Sequence, residues 1–391
     1  MTNPLDEVRV VEVANFIAGP YAGKLLADLG ADVVKVEDPR SGDPSRAWSK
    51  GLYSPWFIAY NCNKRSLTLN LKTAVAKDIL SRLIATADVL IENFRPGVAD
   101  RLGIGYQRVR ELKPQIIYCS ISGMGQTGPY ARRPSYDTVG QGLSGMLSLL
   151  LDPNDPRPIG PAFSDSLTGI FAAYGILAAL HARERTGEGQ RVETSMLEAA
   201  MGLLVEPFSV YFRTGEIADP FTRTRVAQVY AFRCRDDLAL AVHLSSPPKF
   251  WHAFAAAIGR EEMIKDPKFR ERADRIRNYE LIHDELAPIF LTKPRAEWLQ
   301  IFEDRDVPCT PIYTIDQVLS DPQVQHLGSE QVIQHSREGT IRVLGSPVHF
   351  TGTQLGPPAP PPTLGEHTNE ILAELGYQTA QIEEFISEGA V

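Results

Sequence analysis

Residues 8–37, VRVVEVANFIAGPYAGKLLADLGADVVKVE, decide the fold class of this 391-residue chain. Val8–Val13 is a β-branched apolar run that predicts a buried strand, and Asp32–Glu37 predicts a second strand of the same kind. Between the two runs, the pattern predicts a helix over residues 20–29 that ends at Gly30. A strand, a helix and a strand in this order form a β-α-β unit, so we expect a parallel sheet covered by helices.

The same alternation continues through the N-terminal half of the chain. Helix-like residues 74–87 precede the strand-like residues 88–93, and helix-like residues 98–114 precede the strand-like residues 116–123. Four strands that alternate with helices in one direction predict an α/β fold with a doubly wound, Rossmann-like parallel sheet. The first turn lacks the G-x-G-x-x-G fingerprint of dinucleotide sites, which argues against an NAD-dependent oxidoreductase.

The C-terminal half predicts a second, smaller domain. We assign residues 1–212 to the large domain and the polar, irregular residues 213–225 to a linker. Residues 226–328 begin with a hairpin pattern and continue with helices, which predicts a small α+β domain. Residues 329–391 return to a strand-like pattern, pass through the proline-rich connector GPPAPPPT and end in two predicted helices.

Composition limits the classes of partner. The net charge of −8 argues against nucleic acid, because no positive field would attract phosphate backbones. The N-terminal segment MTNPLDEVRV lacks the basic and apolar regions of a signal peptide. The longest uncharged apolar run, Ile170–Leu180, is far shorter than the ~20 residues that span a membrane. We therefore expect a cytoplasmic protein without a membrane segment. The cysteines are widely spaced and predict neither disulfides nor a zinc site: Cys62, Cys119, Cys234 and Cys309.

Residues 160–191, GPAFSDSLTGIFAAYGILAALHARERTGEGQR, contain the candidate nucleophile. From Leu167 onward, apolar residues at helical spacing predict a helix with one wide apolar face that ends at Gly187. Asp165 lies at or just before the first turn, where unpaired backbone N–H groups point outward. An aspartate at this place is commonly an N-cap. The alternative is a carboxylate that these N–H groups keep ionised, ready to act as a nucleophile.

Basic and planar side chains follow the predicted strand ends. Arg40 follows the second strand, and we interpret residues 61–72 and 92–101 as loops at other strand ends. Their Arg and Lys side chains can pair with phosphates and Phe94 can stack on a base, whereas a solvated charged loop is the alternative interpretation. Ligands of such sheets bind outside the carboxyl ends of the strands. The sequence therefore favours a phosphorylated small molecule as the ligand.

The glycine-rich residues 123–145 form a predicted loop that enters a helix near Asp137. Tyr136, Asp137 and Gln141 stand at its entrance, where they can support a substrate pocket. N-capping by Asp137 and ordinary packing by Tyr136 are the alternative roles.

Several segments of the chain, in the same order, resemble the family III CoA-transferases, which include formyl-CoA:oxalate CoA-transferase and the carnitine and bile-acid CoA-transferases. The resemblance covers nearly the whole chain. The segments that carry it are AGPYAGKLLADLGADVVKVE, NKRSLTLNLK, ADVLIENFRPG, SYDTVGQGLSG, SDSLTGIFAAYGILAALHARERTGEGQRV, VPCTPIYTIDQVLSDPQV and GEHT.

The resemblance implies the site residues and the reaction. The nucleophilic aspartate of the family matches Asp165, which would form a mixed anhydride and then an aspartyl-CoA thioester before CoA passes to a free carboxylic acid. CoA is then part of the substrate, and we expect no tightly bound cofactor and no metal. Tetrahedral oxyanions need N–H donors, for which the segments around Gly123 and Gly140 are candidates. The positions that match CoA-contacting segments are Ile17, Ala18, Leu69 to Lys72, Asn93, Phe94, Arg95, Arg101 and Tyr136.

The resemblance also implies the architecture. Family members build the large domain from the N-terminal half and the C-terminal tail, so residues 329–391 are expected to return through a linker and pack their helices on residues 1–212. Two such ring-shaped chains interlock as a homodimer in this family. The implied partners are an acyl-CoA, a small carboxylate and a second copy of the chain.

Two positions depart from the family pattern. Ile17 stands where some members have a glutamine, and residues 219–228 run directly into the small-domain strand where the oxalate enzyme has a glycine-rich loop. We therefore expect acids other than oxalate and formate.

Two alternative functions stay open. The 2-methylacyl-CoA racemases share the family fold and usually carry a His before an Asp in the loop that matches Pro134 to Asp137. Tyr136 stands in that place in this chain, and a tyrosine with a pKa near ~10 is a poor base at neutral pH. The other alternative is a non-catalytic CoA-binding protein in which Asp165 only caps a helix.

Overall fold

The structure is a computed structural model that describes residues 3–51, 53–152 and 154–391. The first two residues of the segment in which no signal peptide is predicted lie outside the described residues. The chain divides into two compact units. Unit 1 comprises the chain up to Leu147, Arg157–Glu206 and Gln325–Val391, and unit 2 comprises Ser148–Pro156 and Pro207–Val324.

Unit 1 is built on a six-stranded parallel sheet, which confirms the predicted α/β class. Its strands are β1 (Arg9–Val13), β2 (Asp32–Glu37), β3 (Lys64–Thr68), β4 (Val89–Glu92), β5 (Ile117–Ser122) and β6 (Gln190–Ser195). Their spatial order is β3-β2-β1-β4-β5-β6, and every neighbouring pair is parallel. The order reverses between β1 and β4, and ligand crevices of doubly wound sheets lie at this switch point.

The prediction missed two of these strands. We predict a loop over residues 61–72, but β3 lies within it. Its first residue, Lys64, is buried, and the ion pair of its ammonium group with the Glu12 carboxylate at 2.8 Å stabilises the buried charge. The second missed strand is β6, which continues to Ser195. Both strands carry charged or polar residues, so neither shows the apolar run by which the other four strands are recognised.

The helices alternate with these strands and continue through unit 2. In chain order they are α1 (Ala18–Ala27), α2 (Pro55–Asn61), α3 (Ala74–Thr86), α4 (Val98–Leu102), α5 (Tyr106–Leu112), α6 (Asp137–Leu143), α7 (Met146–Leu150), α8 (Phe163–Thr186), α9 (Met196–Leu203), α10 (Val205–Thr214), α11 (Thr222–Ala227), α12 (Pro248–Ala257), α13 (Arg272–Arg277), α14 (Tyr279–Phe290), α15 (Arg295–Glu303), α16 (Ile315–Val318), α17 (Pro322–Leu327), α18 (Thr368–Glu374) and α19 (Thr379–Ser387).

Helices cover both faces of the sheet, because successive side chains of a strand point to opposite sides. Val10 and Val33 belong to a core cluster with residues of α1 and α8. Val11 and Val34 belong to a second cluster with residues of α3, α18 and α19. The buried apolar strands β1 and β2 are thus explained by burial on both sides.

The start of α8 packs closely on the start of α1. A side chain at Gly169 would place its Cβ 2.9 Å from the carbonyl oxygen of Ala18 and 2.9 Å from Cβ of Tyr21. Among the described residues, α8 is the one helix that is long and apolar enough to cross a membrane by length and composition. Its buried residues, among them Ala172 and Ile176, pack in the core of unit 1. This packing accounts for only part of its apolar composition, because Ile170, Phe171, Tyr174 and Leu177 of the predicted apolar face are exposed.

The C-terminal segment of unit 1 covers the outer edge of β3. The backbone N–H of His367 donates to the Ser66 carbonyl at 3.0 Å, and the Thr68 N–H donates to the Thr368 hydroxyl at 3.1 Å. Arg65 adds ion pairs to Glu370 and Glu374 of α18. Unit 1 also contains the antiparallel hairpin of β10 (Glu330–His335) and β11 (Gly339–Leu344), which follows β7 to β9 of unit 2 in the chain.

Unit 2 contains a three-stranded antiparallel sheet of β7 (Val229–Arg233), β8 (Ala239–His243) and β9 (Cys309–Pro311). The predicted hairpin is confirmed by the pairing of β7 with β8. Aromatic residues fill the core of the unit, such as Phe254, Phe290 and Phe302. Residues 219–228 lead into this sheet as predicted, since only Gln228 separates α11 from β7, but α11 forms within the segment predicted as an irregular linker.

Candidate functional site

A cavity of about 360 Å³ lies in unit 1 at the carboxyl ends of the central strands. The chain leaves β1, β4 and β5 at this edge of the sheet, and α8 and α9 begin beside it. The switch point between β1 and β4 is therefore the site. The residues that line the cavity are Asn15 to Ala18, Trp48, Asn93 to Pro96, Val98, Ile121 to Gly123, Ala131, Arg133, Ser135, Tyr136, Asp165 and Met196.

Asp165 lies in the first turn of α8 and does not cap it. The helix begins at Phe163, four residues before the predicted start, and no side chain of its own N-terminus makes a cap hydrogen bond. The cap comes from Asp137 instead. Its Oδ1 accepts hydrogen bonds from the backbone N–H of Ser164 at 2.9 Å and of Asp165 at 3.2 Å. The predicted capping function of Asp137 thus acts on α8 rather than on its own helix α6.

Gln141 positions the Asp137 carboxylate through a hydrogen bond. Its side chain is buried, and its Nε2 donates to Oδ2 of Asp137 at 2.5 Å. Asp137 and Gln141 are absent from the cavity lining. Their hydrogen bonds position the helix start that carries Asp165, and their predicted role in a substrate pocket stays a prediction.

The Asp165 carboxyl group has a raised pKa. Burial, together with the negative charge of Asp137, raises the pKa of Asp165 to about 7. No Lys, Arg or His among the described residues forms an ion pair with it. The expectation that amides at the helix start keep Asp165 ionised is wrong, because Asp137 already accepts from the N–H groups of Ser164 and Asp165. Asp165 is a carboxyl group that gains and loses its proton near neutral pH.

The side chain of Asn93 fixes the β1–α1 turn that forms one wall. Its Nδ2 donates to the carbonyl of Asn15 at 2.7 Å, and its Oδ1 accepts from the Asn15 N–H at 3.0 Å. The next residue, Phe16, has a φ of 70°, a left-handed conformation that is unfavourable for a bulky side chain. Its N–H donates to Oδ1 of Asp43 at 3.2 Å. The turn is thus held by two side chains from other loops.

A buried cluster of charges lies beneath this turn. Lys35 is 2.8 Å from Glu12 and 2.9 Å from Asp43, and Lys64 is 2.8 Å from the other oxygen of Glu12. All four side chains are buried. Coulombic attraction to Asp43 and Glu12 outweighs burial and raises the pKa of Lys35, whereas burial lowers the pKa of Lys64 to about 8. Sequence reasoning missed the cluster, although an acid or base within an apolar strand, as in VEV and VKV, was a usable signal.

Aromatic rings also line the cavity. The rings of Phe16 and Trp48 stack with centroids 6.0 Å apart, and Tyr136 meets Phe16 edge-on at 5.8 Å. Of these three, the sequence predicted only Tyr136. Arg133 and Met196 also line the cavity without having been predicted.

The structure brings together most of the predicted residues. Ile17, Ala18, Asn93, Phe94, Arg95 and Tyr136 line the cavity with Asp165. Arg40, Lys72 and Arg101 are exposed and outside the lining, and the Leu69 side chain is buried in the core between the sheet and α3. The predicted set therefore separates into a group that shares the cavity with the nucleophile, three cations outside it, and Leu69 in the core.

Of the two glycines expected to supply N–H donors to an oxyanion, Gly123 lines the cavity and Gly140 does not. The N–H of Gly140 donates to the Tyr136 carbonyl within α6, so it is not available to a ligand. Gly123 lines the cavity, as do Ile17 and Ala18 at the start of α1, where helix N–H groups lack helical partners. Among the described residues, no group of three or more His, Cys, Asp and Glu side chains is arranged to hold a metal ion.

Comparison with known proteins identifies the family. Residues 5–368 match CoA-transferase family III. The chain is 33% identical to the succinyl-CoA:glutarate CoA-transferase of Mus musculus, over 99% of this chain and 90% of that protein. It is also 33% identical to the formyl-CoA:oxalate CoA-transferase of Streptomyces avermitilis, over the full length of both.

A solved structure of a CaiB/BaiF family protein from Brucella suis has the same fold. Its TM-score is 0.85 at 33% sequence identity, and the match covers 96% of this chain and all of that chain. The match over nearly the whole length, together with the carboxyl group in the switch-point cavity, leads to one conclusion. The chain belongs to CoA-transferase family III and is a CoA-transferase.

Proposed function

We propose that this enzyme moves CoA from an acyl-CoA to a free carboxylic acid through a covalent thioester on Asp165. The observation that carries the proposal is the position of this carboxyl group. It lines the switch-point cavity beside Ile17, Asn93 and Arg95, and no cation among the described residues pairs with it. The names of the relatives, which include succinyl-CoA:glutarate and formyl-CoA:oxalate transferases, support carboxylic acids as donors and acceptors.

The proposed reaction divides one exchange into four balanced steps. The Asp165 carboxylate attacks the thioester carbonyl, and the C–S bond breaks to give a mixed anhydride and CoA thiolate. The thiolate attacks the aspartyl carbonyl, which releases the donor acid and leaves an aspartyl-CoA thioester. The acceptor carboxylate attacks this thioester, forming a second anhydride and the thiolate. The thiolate then attacks the acceptor acyl carbon and restores the Asp165 carboxylate.

The geometry suits these steps in three respects. Asp137 accepts hydrogen bonds from the backbone at the start of α8, which fixes the position of the Asp165 backbone and so limits where its attacking oxygens can lie. The rings of Phe16 and Trp48 line the cavity and would cover a bound acyl group against water, which hydrolyses an anhydride. N–H groups at the start of α1 and at Gly123 are the proposed donors to the oxyanions. Every step exchanges one carboxylate or thiolate for another, so the reaction needs no proton transfer.

We propose acids other than oxalate and formate as substrates. Ile17 places a buried, apolar side chain at the cavity where some family members have a glutamine amide. Oxalate and formate are compact and fully polar, so an apolar wall offers them no compensation for the water that they lose on binding. We further propose that the enzyme acts in the cytoplasm as an interlocked homodimer. The exposed apolar side chains of α10 support the dimer.

The covalent intermediate provides the direct test. After incubation with succinyl-CoA, we expect a peptide containing Asp165 to gain the mass of CoA, and hydroxylamine to remove it. We expect Asp165→Ala to lower CoA exchange at least about a thousandfold while CoA affinity stays within about threefold. Ser166→Ala, which changes the neighbouring residue, is the matched control.

Three outcomes would contradict the proposal. Exchange at the wild-type rate by Asp165→Ala would exclude the nucleophile. The absence of an adduct with a broad panel of acyl-CoA substrates would favour a CoA-binding role in place of the covalent route. Rapid uptake of solvent deuterium at C2 of a 2-methylacyl-CoA without CoA exchange would indicate a racemase, which the names of the relatives do not favour.

A further inference from the structure

Arg133 is held in a defined position in the loop between β5 and α6. Its backbone N–H donates to the carbonyl of Tyr130 at 2.9 Å. Its guanidinium carbon lies 3.7 Å from the centroid of the Tyr130 ring, which is the geometry of a cation–π contact. The ring restricts the directions that the guanidinium can take. Arg133 also lines the cavity that contains Asp165.

Arg133 is exposed, and its charge has no acidic partner in the part of the chain that the structure describes. Among the described residues, no Asp or Glu carboxylate forms an ion pair with Arg133, and the same holds for Arg95 on the cavity wall. By contrast, Arg46 and Arg65 are paired with carboxylates at 2.8 and 2.7 Å. A guanidinium presents a planar fork of N–H donors that matches a carboxylate or a phosphate. The unpaired guanidinium at this cavity therefore suits an anion that comes with the substrate.

Apolar groups line the cavity together with Asp165 and Arg133. Phe16, Trp48 and Tyr136 contribute rings, and Ile121 and Met196 contribute aliphatic and thioether surface. Contact of such walls with methylene groups of a ligand stabilises the bound state, but the walls offer no hydrogen-bond or ion-pair partner to a charged group. The cavity thus combines a nucleophile, an apolar surface and a cation.

We propose that Arg133 selects dicarboxylic substrates by binding the carboxylate that does not react, while the other carboxyl group reacts at Asp165. The methylene groups between the two carboxyl groups lie against the aromatic wall. This proposal rests on the proposed function, since it places the reacting group at Asp165. Arg133 is then a specificity-determining residue for donor and acceptor, whereas Arg40, Lys72 and Arg101, which lie outside the cavity lining, suit the phosphates of CoA.

The experiment compares two acceptors of equal carbon number, the dicarboxylate glutarate and the monocarboxylate valerate. Each acceptor is tested once with butyryl-CoA and once with succinyl-CoA as the donor. We expect the wild-type enzyme to use glutarate with the higher kcat/KM. We expect Arg133→Ala to lower kcat/KM for glutarate about 30-fold or more, because a charge-assisted pair of hydrogen bonds is lost. The kcat/KM for valerate is expected to change less than about threefold. Arg133→Lys, which keeps the charge but loses the fork, is expected to recover part of the glutarate activity.

Arg132→Ala is the matched control, because this neighbouring arginine carries the same charge and is absent from the cavity lining. An equal loss for both acids in Arg133→Ala, with a raised KM for both CoA thioesters, would assign Arg133 to CoA and overturn the proposal. A wild-type preference for valerate would also overturn it, while the CoA-transferase mechanism would stand. Failure of CoA to reach any carboxylic acid would instead contradict the proposed function itself.

Discussion

Asp165 carries out its proposed role in surroundings that oppose its charge. Burial and the neighbouring Asp137 place its pKa at about 7, so near neutral pH only part of the enzyme holds the ionised nucleophile. A substrate or a substitution that changes the local charge will therefore change the amount of active enzyme. The pH dependence of the reaction should report this single group.

We expect kcat/KM to rise with pH through about 7 and to reach a plateau above it, because the deprotonated carboxyl group attacks. Asp137→Asn removes a negative charge, which lowers the pKa of Asp165 and moves the rise to lower pH. The amide oxygen can still accept from the N–H groups of Ser164 and Asp165. The side-chain amide of Gln141 can rotate so that its oxygen accepts from the amide NH₂ group that Asp137→Asn introduces. This Gln141 oxygen has no hydrogen-bond partner in the described structure.

Initial rates between about pH 5.5 and 9 would measure this shift. Asp284→Asn, at an exposed aspartate of unit 2, is the control and should leave the profile unchanged. A wild-type profile that is already flat over this range, as expected for an aspartate with the ordinary pKa of ~3.9, would contradict the prediction.

At the residue scale, the sequence could supply only part of the site. Asp165 was found through a family resemblance, since an aspartate at a helix start is ordinarily a cap. Asp137 and Asn93 act on backbone groups of residues far along the chain. Such contacts depend on how loops meet, which periodicity does not report. Trp48 and Arg133 were missed because a single ring or charge in an irregular segment has no pattern to identify it.

The contact between α1 and α8 sets the position of the site at the scale of elements. At Gly169 the nearest atoms include the backbone carbonyl of Ala18, which cannot move away as a flexible side chain can. Ala18 also lines the cavity. The separation of the two helices and the shape of the cavity are therefore linked through one glycine.

We expect Gly169→Ala to destabilise the protein by about 1–3 kcal/mol, because the added methyl group lies 2.9 Å from the Ala18 oxygen and overpacks the contact. Alanine ordinarily stabilises a helix relative to glycine by ~1 kcal/mol. Gly142→Ala in α6 is the control, since its new Cβ would lie 3.6 Å from the Leu147 side chain, an ordinary contact. Urea unfolding would compare the two. Equal stabilisation by both substitutions would contradict the close approach.

Elements with a regular pattern were predicted and irregular ones were not. The buried strands β1, β2, β4 and β5 and the helices between them follow from apolar periodicity. Polar β3 and β6 escaped because their stability comes from neighbours: an ion pair holds Lys64 of β3, and β6 pairs along its full length with β5. Tertiary context overrides the local signal in both strands.

At the scale of the whole molecule, the proposed dimer rests on α10. None of its residues is buried, and Val205, Tyr211 and Phe212 are exposed to 64, 52 and 78%. A cluster of large apolar side chains in this state is typical of an interface.

We expect the wild-type protein to sediment as a dimer at micromolar concentration and Phe212→Glu to shift it toward the monomer, because a buried unpaired charge opposes association. Analytical ultracentrifugation measures both. Leu291→Glu, at another exposed apolar residue, should leave the mass unchanged. Sedimentation of the wild-type protein as a single chain would contradict the prediction.

The cover over the outer edge of β3 has a consequence for how the protein is made. Backbone groups at Ser66 and Thr68 bond to residues 367 and 368, which a ribosome adds about three hundred positions later. Until then the nascent chain presents an open strand edge to other chains. Chaperone demand and losses to aggregation should therefore fall on the period before residues 367 and 368 are made, and a stop codon shortly before position 367 should be as harmful as an early one.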